Sequence, residues 1–241
     1  MWVGVNSLRA ALLAFFITAC STTPGAPDVA TSTAGTAQQA GLVDVATLAT
    51  GIDFDIRYAS PQNFTGAAVP GYEAPKCFLL RPVAAALARV QAALDPQGLR
   101  LRVFDCYRPV RSVQAFMRWV DDAGAQSTKP VFYPTLDKSQ LRGVYIAPVS
   151  GHSRGATLDA TLLQCDQGGA CTPLDMGTPF DFFGPRANTD DPGISAMQRA
   201  NRGRLLAAMR AAGFSNYPME WWHFTFKPEP TPRLQYDVPV R

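Results

Sequence analysis

Only two histidines occur in the 241 residues, one inside Ser150-Gly-His-Ser-Arg-Gly-Ala-Thr-Leu-Asp159 and the other closing Glu220-Trp-Trp-His223. If both serve one site, the fold must carry the later segment back across the earlier one. A catalytic zinc takes three protein ligands and keeps a fourth position for water, and two imidazoles with a carboxylate suit it. His152, Asp159 and His223 make such a set. From Thr157 the chain alternates as a strand does, with Thr157, Asp159 and Thr161 on one face and Leu158, Ala160 and Leu162 on the other. Asp159 then points into a polar site while its neighbours anchor the strand. Gly155 allows the sharp turn that returns His152 towards Asp159. Glu220, three residues before His223, can reach a water at the same centre. Residue counts alone leave open a second reading, in which the histidines are unrelated surface or core residues.

With 47% hydrophobic and 17% charged residues, the chain can bury one good core, and the ordinary composition excludes a disordered protein. The net charge of +3 is small and no run of five Lys or Arg occurs, so nucleic acid is not an expected partner. Residues 1–20 read as an export signal, with Arg9 ahead of the apolar run from Ala10 to Ile17, which is too short to span a bilayer. The run ends in Ile17-Thr-Ala-Cys20, which resembles a bacterial lipoprotein cleavage box. On that reading Cys20 is lipidated, the protein leaves the cytoplasm, and Ser21 suits delivery to the periplasmic face of an outer membrane. An ordinary cleaved secretory signal is the alternative. Residues 21–41 are mostly Ser, Thr, Ala, Gly, Pro and Gln, a composition that buries too little surface to order itself, so a flexible linker is expected. The single domain then covers residues 42–241.

Within it, Asp53 to Tyr58 alternates like a strand. A helix is expected from Pro82, with Val83, Leu87, Val90 and Leu94 on one stripe, ending at Pro96 and Gly98. Leu99 to Phe104 alternates apolar and basic residues as a half-buried strand, and a second helix runs from Val110 to Asp121. Residues 123–149 and 165–194 read as long loops. A last helix runs from the N-cap Ser195 to Ala212, and a strand closes the chain from Trp221 to Phe226. Of five cysteines, Cys20 aside, Cys165 and Cys171 bracket a short loop and are natural partners, which leaves Cys77 with Cys106. No two-residue cysteine spacing supports a cysteine zinc site.

The segment Ser-x-His-Ser-Arg-Gly-x-x-x-Asp followed by Glu-Trp-Trp-His-Phe resembles the D-alanyl-D-alanine dipeptidase family of zinc peptidases. So do Arg57-Tyr58-Ala59 with Asn63-Phe-Thr-Gly66, Asp105-x-Tyr-Arg-Pro109, Met176-Gly-x-x-Phe-Asp-Phe182 and Tyr236-Asp-Val-Pro-Val240, all in family order. The resemblance implies an α+β domain with a central, mainly antiparallel sheet flanked by helices, like that of D,D-carboxypeptidases and hedgehog proteins. It implies one Zn2+ per chain on His152, Asp159 and His223, Glu220 as general base and acid, and Arg108 stabilising the oxyanion. Ser150 and the backbone of Tyr72 would hold a dipeptide's carboxylate, and Asp181 with the backbone of Tyr58 its ammonium. The implied activity is hydrolysis of D-Ala-D-Ala. A D,D- or L,D-carboxypeptidase acting on wall stem peptides, or a wall-binding module without turnover, are the other readings. Gly151 and the loop between Cys165 and Cys171 depart from the family pattern. The leader does too, and it points to dipeptide turnover outside the cytoplasm, reached through a lipid anchor.

Overall fold

The computed structural model describes Met1 and residues 29–241. The export signal, Cys20 and residues 21–28 of the linker lie outside the described residues. In chain order the strands and helices are β1 (Ala30–Thr31), β2 (Leu42–Asp44), β3 (Asp53–Phe54), β4 (Phe78–Leu80), α1 (Arg81–Leu94), β5 (Leu99–Asp105) and α2 (Val110–Asp121). There follow α3 (Lys129–Phe132), α4 (Lys138–Leu141), β6 (Thr157–Cys165), β7 (Cys171–Pro173), α5 (Ala196–Ala211), β8 (Phe214–Asn216), β9 (His223–Phe226) and β10 (Leu234–Gln235). The main sheet has the order β3-β5-β6-β9-β8, with β7 added on β6. Only β3 and β5 run parallel, so the sheet is mainly antiparallel and the class is α+β.

One face of this sheet is apolar because β5 and β6 present Leu99, Leu101, Val103, Leu158, Ala160 and Leu162 to it, all buried. Helix α1 packs there with Val83, Leu87, Val90 and Leu94, and α5 beside it with Leu205 and Met209. Each such leucine contributes about 1.5–3 kcal/mol relative to exposure. Pro82 occupies the first turn of α1, where its missing N–H costs nothing, and Gly98 at φ 65° ends the extension of that helix. Ser195 caps α5, its Oγ accepting from the Gln198 N–H while Gln198 returns a bond to the Ser195 N–H.

Several expected boundaries shift. Strand β3 stops at Phe54, because Arg57–Ala59 turns as a 3-10 helix that carries Tyr58 into the core. The closing strand starts at His223 rather than Trp221, since a turn from Tyr217 to Glu220 occupies the preceding residues. The loops 123–149 and 165–194 contain α3, α4 and β7. The linker does not run to residue 41. The Ala30 N–H donates to the Arg233 carbonyl at 3.0 Å and the Ser32 N–H to the Gln235 carbonyl at 2.8 Å, which makes β1 a parallel partner of β10. Ala40 is buried and Ala37 packs beside it. Small side chains give no local signal of order there, but they allow the backbone close enough to pair.

Candidate active site

The site forms at one end of the main sheet, where one row of residues crosses three strands. Asp159 on β6 faces His223 on β9 across one ladder and Asp105 on β5 across the other. Asp105 reaches that row through a β-bulge. The register runs Val103 to Ala160 and then Asp105 to Asp159, so Phe104 is an extra residue in β5. A regular strand would set Phe104 opposite Asp159 and turn Asp105 towards the helices; the bulge re-aims it. His152 comes from a 3-10 turn, Gly151–Arg154, capped by Ser150 and closed by Gly155 at φ 70°. A Cβ on Gly155 would stand 2.7 Å from Leu42 Cδ2, so backbone conformation and packing both require glycine there.

Three atoms converge. His152 Nε2 lies 3.3 Å from His223 Nδ1 and 3.4 Å from Asp159 Oδ1, and His223 Nδ1 lies 3.2 Å from that same oxygen. On the far side of its ring, His152 Nδ1 meets the Cys106 carbonyl at 2.7 Å. A carbonyl can only accept, so Nδ1 carries the proton and Nε2 turns a lone pair inward. Asp159 Oδ1 is buried and lacks a well-formed hydrogen bond despite these neighbours. One proton can bridge one edge of the triangle; three inward-facing acceptors call for a cation. Tetrahedral zinc bonded at about 2.0–2.1 Å separates its ligands by about 3.3–3.4 Å, which these distances match.

Around the triangle the charges are held in fixed places. Arg108 donates Nε and Nη2 to Asp105 Oδ2 at 3.0 and 2.8 Å and lies 3.8 Å from Asp159 Oδ2. Its guanidinium sits over the rings of Tyr58 and Phe116, 5.1 and 4.9 Å from their centroids. Tyr72 donates its hydroxyl to Asp105 Oδ1 at 2.6 Å. Burial raises the Asp105 carboxyl even though Arg108 and His152 pull it down. Burial also opposes ionisation of Asp159, but the two imidazoles outweigh it and hold that carboxyl far below its usual range. Glu220 Oε2 lies 3.4 Å from His223 Nδ1. Burial pushes Glu220 up to about 7, with Asp159 adding to the rise and His223 and Arg108 opposing it.

These groups open into a cavity of about 300 Å³ whose wall includes Arg108, Ser150, His152, Asp159, Asp181, Glu220 and His223. That is the lower end of the range of about 300–1,000 Å³ for small-molecule sites. Tyr217 closes part of the rim by donating its hydroxyl to the Val144 carbonyl at 3.2 Å. Asp181, at φ 62°, is 4% exposed and receives the Tyr58 hydroxyl on both carboxylate oxygens at 3.0 Å. Burial raises Asp181 well above its ordinary value, and Asp159 adds to this. Trp222 forms wall, while Trp221 and Phe224 are core.

His152, Asp159, His223, Glu220, Arg108, Ser150 and Asp181 are thus brought together, and two expected backbone contacts are not. The Tyr72 N–H is spent on the Val69 carbonyl, and Tyr72 stands behind Asp105 away from the cavity wall. The Tyr58 carbonyl accepts the Val69 N–H, and it is the phenol that meets Asp181. Asp105, which the sequence reading left without a role, is the residue it missed. Its place in Asp105-x-Tyr-Arg108 was the available signal. Cys77 is bonded to Cys106 and Cys165 to Cys171.

A model of the family described as D-ala-D-ala dipeptidase, peptidase M15, matches residues 38–241. A D-alanyl-D-alanine dipeptidase of Enterococcus faecium is 37% identical over 193 residues, 79% of this chain and 94% of its own. One of Streptomyces coelicolor is 38% identical over 195 residues, 80% and 95% of the two chains. Among solved structures, VanYB in complex with D-alanine-D-alanine aligns with 62% of this chain and 72% of its own at 15% identity and a TM-score of 0.37, too distant a likeness to carry an argument.

Proposed function

The chain belongs to the D-alanyl-D-alanine dipeptidase family, and from that premise we propose that it hydrolyses D-Ala-D-Ala with one zinc ion held by His152, Asp159 and His223. The observation that carries the metal is the triangle of inward-facing acceptors. Zinc at that place supplies an electrophile that polarises the scissile carbonyl and acidifies water. Glu220 Oε2 takes the proton of the attacking water and returns it to the leaving amine, a task suited to a carboxyl near neutrality. Arg108, unable to swing because Asp105 and two aromatic faces hold it, sets a fixed positive charge against the developing oxyanion.

Asp181 receives the substrate's ammonium, and Ser150 binds its carboxylate. A buried carboxylate is costly without a cation, and Tyr58 alone gives Asp181 only a neutral donor. A free ammonium offsets that cost; an N-acylated peptide cannot. The test is product formation from D-Ala-D-Ala, N-acetyl-D-Ala-D-Ala and a stem pentapeptide, with metal content measured on the same samples. Cleavage confined to the free dipeptide is expected. Equal cleavage of all three would make the enzyme a carboxypeptidase and leave Asp181 without its role.

For its setting, the lipobox-like Ile17-Thr-Ala-Cys20 supports a protein anchored through Cys20 on the periplasmic face of an outer membrane, clearing dipeptide released during wall turnover. Among the described residues no helix is long and apolar enough to cross a membrane. Mass spectrometry of protein from its own host should find acyl groups on Cys20, and a mature N-terminus elsewhere would rule the anchor out.

A further inference from the structure

We infer that the Cys77–Cys106 disulfide is a positioning device for the metal site, holding the carbonyl that orients His152, in addition to any contribution it makes to stability. This rests on the proposed metal ligands. Cys106 directly follows Asp105 at the end of β5, and its carbonyl is the acceptor for His152 Nδ1 at 2.7 Å. That bond is the shorter of two at this nitrogen, Asp105 Oδ2 standing 3.3 Å away; both select the same tautomer, and the position of residue 106 fixes the plane of the ring and with it the direction of the Nε2 lone pair.

What holds residue 106 is a ledge outside the main sheet. Strand β4 pairs with β2 in a separate two-stranded sheet. Its Phe78 carbonyl receives the Tyr107 N–H at 2.9 Å, and its Leu80 N–H reaches the Gly155 carbonyl, also at 2.9 Å. The two segments that frame the site, 106–108 and the His152 turn, therefore both hang on β4. They meet each other directly where the Arg108 N–H donates to the His152 carbonyl at 3.3 Å. Without the bridge, the backbone of 106–108 is tied to this ledge by the single Tyr107 bond. With it, Cys77 and Cys106 stand 5.2 Å apart at Cα, both 1% exposed, and the link is covalent. Cys165–Cys171 is a built-in comparison. It joins β6 to β7 at the far end of β6 from Asp159, with both residues partly exposed.

The experiment compares full-length wild type with Cys77→Ala/Cys106→Ala and with Cys165→Ala/Cys171→Ala. Zinc affinity is read by chelator competition, and the visible spectrum of the Co2+-substituted protein reports ligand geometry. Alanine keeps the backbone carbonyl and removes the tie together with two buried sulfur atoms. The first double variant should bind zinc roughly tenfold to a hundredfold more weakly, the range for losing an outer partner of a ligating histidine, with an altered Co2+ spectrum. The second should match wild type in both. Equal affinity in the first variant, or equal losses in the two, would overturn the inference. If the first variant does not fold, wild type is titrated with a phosphine reductant while circular dichroism follows the fold and alkylation maps the thiols. In a chelator buffer set so that wild type is just saturated, zinc should stay through reduction of Cys165–Cys171 and be drawn off with that of Cys77–Cys106; the same occupancy in folded protein reduced at Cys77 and Cys106 would refute it. A wild type that binds no zinc would instead remove the metal reading itself.

Discussion

A carboxyl that accepts a proton and then gives it back, the role proposed for Glu220, works best when neither form is strongly favoured, and in the metal-free site burial pushes Glu220 up to about 7. Glu220→Gln should therefore keep its zinc and its fold while losing about a hundredfold to ten-thousandfold in kcat. Because only ionised Glu220 accepts a proton, kcat/KM should fall in acid in wild type, and because a bound zinc's charge favours the carboxylate, the limb should lie below the value of about 7 that burial sets in the metal-free site. A pH profile in which Glu220→Gln keeps the same acid limb and full rate would assign the proton to another group. His152→Ala, Asp159→Ala and His223→Ala should each lose zinc by metal analysis. Zinc affinity should also weaken in acid: Asp159 overcomes the effect of burial and raises His223, so a proton competes for Nδ1 as pH falls. His152, His223 and Glu220 were legible in the sequence because they are rare types in two short segments. Asp105 was not, because strand alternation puts it on the wrong face and only the bulge at Phe104 corrects that. Tyr72 was misplaced for a related reason: a motif fixes where a residue lies in the chain and not which way its backbone groups point.

At the scale of elements, those that carry their own signals were readable. Helix α1 has Pro82 and a four-residue apolar stripe, α2 keeps its expected limits, and α5 has the Ser195 cap. Elements made by distant partners were not. Strand β1 exists because residues 234–235 lie beside it, and α3 and α4 are single turns too short for periodicity to show. The turn between Ser150 and β6 was legible through Gly155, and it offers a sharp test. Gly155→Ala forces a left-handed conformation on a residue with a Cβ and drives that atom into Leu42. Overpacking of this kind costs about 1–3 kcal/mol. In a domain of this size each kcal/mol lowers Tm by about 2–4 °C. Zinc affinity should fall with it, since the same turn carries His152. An unchanged Tm would show that the turn relaxes freely.

Across the whole molecule, the segment after β9 is bound back to the His152 turn by Arg154, which donates Nε and Nη2 to Glu229. Burial works against the charge on Glu229, but Arg154 and Lys227 hold its carboxyl below the ordinary value. A lowered folded value means that the pair stabilises the fold above the unfolded glutamate range of about 4.3 and that this is lost as pH falls further. Glu229→Gln should therefore lower Tm at neutral pH and differ little from wild type in strong acid. A gap that persists in acid would mean that the residue acts through shape. The row Asp105, Asp159 and His223 carries a last consequence. A slip of one residue between neighbouring strands turns every side chain to the opposite face, so in β6 it would put Leu158 or Ala160 where Asp159 belongs. Only the correct alignment of β6 with β9 sets Asp159 beside His223, and β5 must join in register for Asp105 to hold Arg108 next to them. The proposed zinc, binding only where Asp159 and His223 stand side by side, would proofread that alignment, and zinc supplied during refolding should rescue more protein than the same zinc added afterwards; equal recovery would show that register is set without the ion.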